Sequence, residues 1–528
     1  MTSEAAPTTY DDVPYIRAAF HHTHPDRLAS IARLFGMTPP PVATCRVLEL
    51  GCASGDNLAP MAEVLPGAHF IGIDLSNKQI EEGQAMIKAL DLPNVELRHA
   101  NILDVDASWG QFDYILCHGI YSWVPDIVRQ KILSICQHNL NPQGVAYISY
   151  NTYPGWRMRG MIRDMMLYHS RQFEGAKPKL EQARALLDFL AQSTSTDTPY
   201  GLTLKQEVDA IRGQPDAYIF HDHLEDINDP RYFHQFVAEA AQNEMQFLGE
   251  AEFGSMMVTN FPPPVAETLR KIAPDIVRME QYMDFVRNRT FRQTLLVHAA
   301  APLTRAVNAQ LVREFHIASS ARAVSSKPSI DPGVPEQFRT PTSASLSTSN
   351  AITKAAFLVL AECWPQTMPF EQLVLAAAGR VAGNVAAVPE PAQLEAQRQR
   401  LATDLFQAYA ATLVELRMHP VTLGMSIEGK PLASKVARAQ AGRPGAITNL
   451  RHESLQLDPF NRQFLMLLDG TRDRDALVEG LAEAVRTGAL EVKHNGQPLT
   501  DPVSVTKVLY EAVNENLPKL ARLALLVA

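Results

Sequence analysis

The sequence predicts an α/β protein with a mostly parallel β-sheet in its N-terminal half, followed by smaller α+β units. Between Arg46 and Tyr153, short apolar runs alternate with helical patterns, which is typical of a parallel sheet built from strand–helix–strand units. Beyond residue 350, groups of helical segments are followed by short strand-like segments. The 528 residues leave room for roughly three to four domains.

Seven apolar segments are predicted to form the strands of one Rossmann-like sheet. The last two are expected to form an antiparallel pair, separated along the chain by a helical excursion from about Pro264 to Arg287. Helices fill the gaps between the strands, and a capping-box pattern at Ser76 and Gln79 predicts where one of them begins. The predicted strands are 46–50, 69–74, 95–100, 113–117, 145–153, 245–253 and 290–298.

The domain boundaries follow from these segments. A helical cap is predicted to interrupt the sheet domain between its fifth and sixth strands, and Asp229, followed by Pro230, is expected to cap the next helix. A Ser-, Thr- and Pro-rich stretch after residue 323 favours a linker. The predicted units are a core of residues 1–155 and 216–305, a cap of residues 156–215, a linker of residues 306–350, and winged-helix-like domains of residues 351–445 and 446–528.

Composition excludes several classes of protein. The net charge of −9 gives no overall attraction to nucleic acid or to an anionic membrane. Five cysteines without a paired or metal-like spacing predict neither a disulfide framework nor a metal site. No stretch approaches the ~18 uninterrupted apolar residues of a membrane span, and the N-terminus lacks a signal-peptide pattern. We therefore expect a cytoplasmic protein without nucleic-acid binding or membrane insertion.

The loop after the first predicted strand, ELGCASGDN, is the first candidate binding element. Its small residues let a ligand approach the backbone, and a helix N-terminus follows. A dinucleotide fingerprint fails at Ala53 and Asp56, and the acids Glu49 and Asp56 would repel a pyrophosphate. A ligand with an ammonium and a sulfonium, such as S-adenosylmethionine (SAM), would instead be attracted. We therefore predict a SAM site.

Two further strand ends extend this site. Asp74 ends the second strand, where a carboxylate can accept hydrogen bonds from both ribose hydroxyls. Asn101, with the Ile102 backbone, follows the third strand and is placed to read the adenine edge. The cofactor-binding residues expected from the strand ends are Glu49, Gly51, Cys52, Ala53, Gly55, Asp74, Leu75, Asn101, Ile102 and Cys117.

The motifs ELGCASGDN, GIDLS, HANI and FDYILCHGIYSWVP resemble those of class I SAM-dependent methyltransferases. Four other segments resemble bacterial methyltransferases that carry a methyltransferase regulatory domain: THPDRLASIARLFGM, YNTYPGW, FHDHLEDINDPRYFHQFV and LDGTRDRDALVEGL. That group includes the rickettsial protein-lysine methyltransferases that modify outer-membrane proteins. Many methyltransferases have glycine where this chain has Ala53, which we expect to be tolerated if its φ is negative.

The resemblance implies further features of the protein. SAM would be the cofactor and S-adenosylhomocysteine (AdoHcy) its product, with lysine side chains of a protein as acceptor, for instance an outer-membrane protein before export. Similar methyltransferases use an N-terminal segment as a lid, so Tyr15 is a candidate cofactor contact whose rival role is simple packing. A homodimer is compatible with the resemblance.

Acceptor-side residues are expected after the fourth and fifth strands, where aromatic rings can narrow a channel and polar groups can orient an amine. The alternative is that these aromatics simply close the pocket over the cofactor. The acidic and histidine-rich run from residue 221 to 229 is expected to be capping or solvated charge rather than a metal site. The predicted catalytic residues are Tyr153, Asn151 and His118, and the predicted substrate contacts are Tyr121, Trp123, Trp156, Asp222 and Glu225.

Three functions remain open from the sequence. The first is methylation of protein lysines by a SAM-dependent enzyme. The second is methylation of a small molecule or lipid, with the C-terminal half serving dimerisation. The third is a SAM-binding regulatory protein whose winged helices contact DNA, which the net acidity and the lack of a Lys/Arg-rich recognition helix disfavour.

Overall fold

The structure, a computed structural model, describes residues 18–383, 390–425, 427–494, 497–499 and 501–527. Within these residues, seven strands form one sheet in the order β3-β2-β1-β4-β5-β7-β6. β1 to β5 run parallel, and β7 runs antiparallel to both of its neighbours. The predicted fold class is therefore confirmed. The strands are β1 (Arg46–Leu50), β2 (His69–Asp74), β3 (Val95–His99), β4 (Phe112–Cys117), β5 (Leu140–Asn151), β6 (Met245–Glu250) and β7 (Phe291–His298).

Helices cover both faces of this sheet. Alternate residues of β1 enter two apolar cores, with Val47 on one face and Leu48 and Leu50 on the other. Burial on both sides explains why the parallel strands are almost continuously apolar. The Ser76 hydroxyl accepts a hydrogen bond from the Gln79 amide at 3.2 Å, as the capping pattern predicts. The first helices are α1 (Pro25–Leu34), α2 (Leu58–Val64), α3 (Asn77–Ala89) and α4 (Asp126–Asn139).

The helical insertion follows β5 and has an apolar core of its own, which includes Ile162, Leu187 and Leu204. It continues beyond residue 215 into a π-helical turn at Phe220–Leu224. The insertion contains α5 (Trp156–Ser170), α6 (Ala176–Ser193), α7 (Pro199–Arg212) and α8 (Asp216–Ile219).

The predicted cap at Asp229 is wrong. The next helix, α9 (Phe233–Gln242), has Tyr232 at its N-cap position. The helix begins four residues after Asp229, at Phe233, and the Asp229 carboxylate instead pairs with Arg129 at 2.8 Å and with Arg231. Between β6 and β7 the expected helical excursion is present as α10 (Pro263–Ile272) and α11 (Ile276–Arg287).

The predicted linker of residues 306–350 is also wrong. Ile317 in this segment lies in β8, which pairs with two strands far along the chain, and Phe338 in β10 is fully buried. β8 has only three residues, and its partners lie about 50 and 100 residues further along the chain. β10 pairs with nearby strands, but it lies in the Ser- and Thr-rich stretch, whose composition favours a linker. The strands are β8 (His316–Ala318), β9 (Arg322–Ala323), β10 (Glu336–Arg339), β11 (Ser345–Thr348), β12 (Met368–Pro369) and β13 (Glu415–Arg417).

The predicted run of helix, helix, helix and strand after residue 350 is present, ending in β13. Its buried residues, such as Phe357 and Leu401, share one apolar core with Ile31 and Phe253 of the sheet domain. This unit is therefore packed onto the sheet domain as a continuation of its core. Its helices are α12 (Ala351–Cys363), α13 (Phe370–Val381) and α14 (Pro391–Ala410).

The last unit begins before residue 446. Ala433 and Ala437 belong to the same apolar core as Phe464, Leu477 and Leu517, so the predicted boundary cuts through this unit. None of the described helices is long and apolar enough to cross a membrane. The elements are α15 (Lys435–Ala441), β14 (Ile447–Thr448), β15 (Ser454–Leu455), α16 (Pro459–Leu467), α17 (Arg474–Arg486), β16 (Lys493–His494), β17 (Gln497–Pro498) and α18 (Pro502–Arg522).

Candidate active site

A cavity of about 690 Å³ lies at the carboxyl ends of the central strands, between the sheet and the helical insertion. This volume is typical of a site for a small-molecule ligand, and its position is where open α/β sheets bind ligands. Many residues predicted from the sequence line it together. They are Glu49, Gly51, Cys52, Ala53, Asp74, Leu75, Asn101, Ile102, His118, Trp123, Asn151, Trp156 and Asp222.

The loop after β1 has a backbone that only small residues fit. Gly51 has a φ of +77°, and a Cβ there would lie 2.4 Å from the Ile120 side chain. Ala53 has a φ of +49°, so the expectation of a negative φ is wrong. The amide of Ala53 donates to the Asp74 carboxylate at 2.9 Å, a contact that fixes this turn.

Two carboxylates mark one end of the cavity. Glu49 is buried and accepts a hydrogen bond from the Asn57 side chain at 2.7 Å, while its other oxygen has no hydrogen-bond partner in the described part of the chain. Burial, together with the nearby Asp74, raises the pKa of Glu49 to about 7. Asp74 is oriented by the amides of Ala53 and Ser76, each at 2.9 Å. A cationic group with neighbouring hydroxyls would complement this end.

The expected adenine contacts lie beside these carboxylates. Asn101 and Ile102 line the cavity after β3, and the Asn101 side-chain oxygen accepts a hydrogen bond from the Leu103 amide at 3.0 Å. That bond holds the side chain in place and leaves its amide nitrogen as a donor for a ligand.

Three predicted cofactor residues are not part of the cavity wall that the structure describes. Gly55 turns the chain behind it with a φ of +75°, and a Cβ there would lie 2.9 Å from Leu97. Cys117 is fully buried in the core on one face of the sheet, because the last residue of β4 points inward. Tyr15 lies outside the described residues.

His118 and Asn151 lie at the strand ends facing the insertion. The Nδ1 atom of His118 is 2.8 Å from the Tyr147 hydroxyl, and its ring lies 3.8 Å from the Phe20 ring. Burial lowers the pKa of His118 to about 3, so its imidazole is neutral near neutral pH. The Asn151 side-chain nitrogen donates to Asn228 at 3.0 Å, which leaves its oxygen available to an amine.

Two tryptophans form a wall of the cavity. The rings of Trp123 and Trp156 pack edge to face with centroids 6.1 Å apart. The buried indole nitrogen of Trp156 has no hydrogen-bond partner among the described residues. An aromatic wall of this kind suits an aliphatic chain that carries an amine.

Three predicted acceptor-side residues lie outside the cavity. The Tyr153 ring packs against the Arg157 guanidinium at 3.9 Å, because β5 ends at Asn151 and the alternation of strand side chains ends with it. Tyr121 is buried in the core, where its hydroxyl donates to Glu239 at 2.7 Å. Glu225 lies against His221 at 3.1 Å instead of facing the cavity. A direct catalytic role for Tyr153 is not supported.

Asp222 is the acid of the 221–229 run that lines the cavity. Its Oδ2 atom is buried and makes no hydrogen bond within the described ranges. Burial raises the pKa of Asp222 to about 7, an effect that Arg159 and His221 oppose. The expected solvated or capping role therefore does not apply to Asp222, which lines the cavity as the prediction of a substrate contact requires, whereas Asp226 of the same run is 91% exposed. Among the described residues, no group of three or more His, Cys, Asp and Glu side chains is arranged to hold a metal ion.

Sequence reasoning missed several residues of the cavity wall. Arg159 lies one helical turn after Trp156 on α5, a spacing that places both on one face and that would have indicated it. No sequence pattern indicates Phe20 or Phe291, because each comes from a segment that reaches the site only through the tertiary fold. The other missed residues include Asn57, Tyr218 and His221.

Three families match successive parts of the chain. Residues 42–210 match a methyltransferase domain, and residues 215–298 match the family described as "predicted methyltransferase regulatory domain". Residues 429–525 match "PKMT, C-terminal winged helix domain". The last match begins before residue 446, as the apolar core of the C-terminal unit does.

Similar proteins span almost the whole chain. The uncharacterized protein RP789 of Rickettsia prowazekii is 37% identical over 527 residues, which cover 98% of this chain and 93% of that protein. The structure of PKMT2 from Rickettsia typhi in complex with AdoHcy has a TM-score of 0.86 and 34% identity, covering 98% of this chain and 100% of that one. A second structure of PKMT2 from Rickettsia typhi has a TM-score of 0.85 and 33% identity, with the same coverage.

Proposed function

Because this chain belongs to the SAM-dependent methyltransferases that combine a methyltransferase domain, a regulatory domain and a PKMT winged-helix domain, we propose that it methylates lysine side chains of a protein. The observation that carries this proposal is a single cavity with two chemically different ends. One end has carboxylates beside the glycine-rich loop, and the other has two tryptophans and an acid.

The first end suits the polar groups of SAM, which supplies an activated methyl group when it is bound. The free oxygen of Glu49 is placed to accept a hydrogen bond from an ammonium group. Asp74 accepts backbone hydrogen bonds from Ala53 and Ser76 and lies in the cavity wall, where a carboxylate can accept hydrogen bonds from ribose hydroxyls. Asn101 and Ile102 lie where the adenine edge would be read. The residues present therefore fit the cofactor.

The second end suits a lysine side chain. Trp123 and Trp156 provide an apolar wall for the four-carbon stem, and the Asn151 side-chain oxygen can orient the amine. The enclosed wall also excludes water, so the residues mainly hold the nucleophile in line with the methyl group.

The protein nature of the acceptor is supported by the relatives. Both similar structures are of a protein named PKMT2, and a PKMT winged-helix family covers residues 429–525. The motifs of this chain resemble those of the rickettsial protein-lysine methyltransferases. An outer-membrane protein before its export is the first acceptor to test, in line with the resemblance of the motifs.

The experiment is transfer of labelled methyl groups. The purified full-length protein is incubated with methyl-labelled SAM and a lysate of its own source, and labelled protein is hydrolysed for methyl-amino-acid analysis. We expect label in methyl-lysine, lost with Asp74→Ala and retained with Asp104→Ala, an exposed acid that serves as the matched control. Label confined to small molecules or lipid contradicts the lysine proposal, and so does tight SAM binding without transfer.

A further inference from the structure

We propose that Asp222 takes the proton from the acceptor lysine before methyl transfer, and thus acts as the general base of the reaction. The inference rests on the proposed lysine acceptor. It assigns a chemical role to one carboxylate oxygen, Oδ2, which is buried, faces the cavity and has no hydrogen-bond partner among the residues described.

The position of Asp222 fits this role. It lies in the π-helical turn Phe220–Leu224, which packs against α5 and so brings the acid to the part of the cavity that Trp156 lines. A lysine stem along the two tryptophans would carry its ammonium group toward an acid in this part of the wall. A buried carboxylate without a partner is costly, so a cationic ligand that satisfies it gains affinity.

A lysine acceptor must lose a proton before it can attack the methyl group. Its free pKa of about 10.4 keeps the amine protonated at neutral pH, and a protonated amine has no lone pair with which to attack. Removal from water lowers the pKa of an ammonium group and raises that of a carboxyl group. Both shifts favour transfer of the proton from the lysine ammonium to the carboxylate. Burial raises the pKa of Asp222 to about 7.

The charged and titratable groups around Asp222 allow it to gain and lose a proton near neutral pH. Arg159 on α5 and His221 in the same turn lower the pKa of Asp222, while the pKa of Tyr218 on α8 is raised by burial and by Asp222 itself. The positive charge of Arg159 is shared with a second carboxylate, because Glu207 lies 3.9 Å from its guanidinium. Glu49 and Asp74 also line the cavity, beside the loop that follows β1.

Other titratable side chains of the cavity wall are less suited. The Nδ1 atom of His118 already pairs with Tyr147, and burial lowers the pKa of His118 to about 3, which makes it a poor proton acceptor at neutral pH. His221 is paired with Glu225 at 3.1 Å. Glu49 is held by Asn57 beside the cofactor loop.

The step balances in atoms and charge. The ammonium proton passes to Oδ2 of Asp222, which leaves a neutral amine and a neutral carboxylic acid. The amine lone pair then forms a bond to the methyl carbon, while the carbon–sulfur electron pair returns to sulfur and converts the sulfonium of SAM into the thioether of AdoHcy. The product is a methylated ammonium, and Asp222 releases its proton to water after the products leave.

The test compares Asp222→Asn with Asp226→Asn. Asp226 belongs to the same acidic run, but its side chain is 91% exposed, so the matched variant loses the same charge away from the cavity. The full-length protein, methyl-labelled SAM and poly-L-lysine are used for single-turnover rates between about pH 6 and pH 10, which brackets both groups. AdoHcy affinity is measured alongside by calorimetry.

General-base removal predicts a distinctive pH profile. We expect Asp222→Asn to lower the single-turnover rate at neutral pH by about 100-fold or more, with little change in AdoHcy affinity. The deficit should shrink toward about pH 10, where the lysine amine loses its proton to water. Asp226→Asn should follow the wild-type profile.

Two results would overturn the inference. One is a rate of Asp222→Asn close to that of the wild type at neutral pH. The other is a deficit of the same size at every pH, which indicates a structural role. If the wild-type protein transfers label to lipid or small molecules but to no lysine, the proposed function itself fails, and the role of Asp222 falls with it.

Discussion

Glu49 is a buried carboxyl group at the cofactor end of the cavity, and its protonation state should affect ligand binding. It is buried, one of its oxygens is held by Asn57, and the other has no hydrogen-bond partner in the described part of the chain. Because burial raises its pKa to about 7, the carboxyl is mostly protonated below that pH and mostly ionised above it. A cation bound beside it favours the ionised form. Ligand binding and proton release should therefore be linked at this residue.

We expect AdoHcy affinity to rise about five- to tenfold between about pH 6 and pH 8, because the ammonium group prefers ionised Glu49. Binding near neutral pH should release a proton, which calorimetry in buffers of different ionisation enthalpy measures. Glu49→Gln should bind more weakly at the higher pH and should lose most of this dependence. An unchanged pH dependence in Glu49→Gln would show that another group is responsible.

Ala53 shows a second effect of a single residue. An L-residue with a φ of +49° carries a strain of about 1–2 kcal/mol that glycine does not. Ala53→Gly should therefore stabilise the protein by about 0.5–1 kcal/mol after the extra backbone entropy of glycine, and raise the melting temperature by about 0.5–1 °C. Ala85→Gly, at an exposed position in the middle of α3, should lower it instead. A lower melting temperature for Ala53→Gly would contradict this account.

At the scale of helices and strands, the sequence predicts the parts of the sheet that bury both faces. β1, β2 and β4 match their predicted segments within a residue, because a doubly buried strand must be apolar throughout. The strands of residues 306–350 could not be predicted in this way. β8 has three residues and its partners lie far along the chain, so no local pattern indicates it. β10 has four residues in a Ser-, Thr- and Pro-rich stretch, whose composition does not favour a strand.

In the candidate site, too, residues at strand ends could be predicted from the sequence, and residues placed by the tertiary fold could not. Glu49, Asp74, Asn101 and Asn151 were found from strand ends, because the carboxyl ends of parallel strands share one edge. Tyr153 was misplaced because it follows the end of β5, where the alternation of side chains no longer applies. The contributions of Arg159 and other insertion residues depend on how α5 and α8 dock on the sheet.

β7 carries a buried ion network that joins two elements of the fold. Arg292 is fully buried and contacts Glu250 of β6 at 2.6 Å, and Glu280 and Asp284 of α11 at 3.0 and 2.8 Å. Its guanidinium holds the pKa of Glu250 below the usual value, although burial alone would raise it. Arg292 therefore supplies much of the positive charge that balances these three buried carboxylates. A second cation, Arg289, lies further away, at 3.7 Å from Glu250.

Arg292→Met should therefore destabilise the protein by about 3–5 kcal/mol, because it leaves buried carboxylates without their main partner. The loss should be smaller at about pH 5, where the carboxyls can bind protons. Arg278→Met, on the exposed face of α11, should change stability by less than about 0.5 kcal/mol. Thermal and urea unfolding of the two variants decide between these values, and similar stabilities would contradict the role given to the network.

At the scale of the whole molecule, the C-terminal unit contacts the loop and helix behind the cofactor end. Arg443 pairs with Asp56, and Ser434 donates to Glu63 of α2 at 2.6 Å. His452 lies 3.0 Å from the Asn57 side-chain oxygen, and Asn57 in turn holds Glu49. Burial lowers the pKa of His452 to about 3, so this contact is made by a neutral imidazole. The two domains therefore share a buried hydrogen-bond chain.

We expect His452→Ala to weaken AdoHcy binding by about three- to tenfold, since it removes one partner of a buried hydrogen bond that holds the cofactor end. By reciprocity, AdoHcy should slow hydrogen exchange in the segment 443–455 of the wild-type protein, and should do so less in the variant. His138→Ala, at an exposed histidine of α4, is the matched control. Equal AdoHcy affinity in all three proteins would show that the domains are not coupled.

The most direct test of the central claim is a crystal structure of the full-length protein with AdoHcy and a lysine-containing peptide. The account expects the AdoHcy ammonium at Glu49, its ribose at Asp74 and its adenine near Asn101. It expects the lysine stem along the wall that Trp123 and Trp156 form, with its nitrogen within hydrogen-bond distance of Asp222 and facing the AdoHcy sulfur. AdoHcy bound outside this cavity, or a lysine nitrogen that approaches the sulfur from another side, would contradict the account.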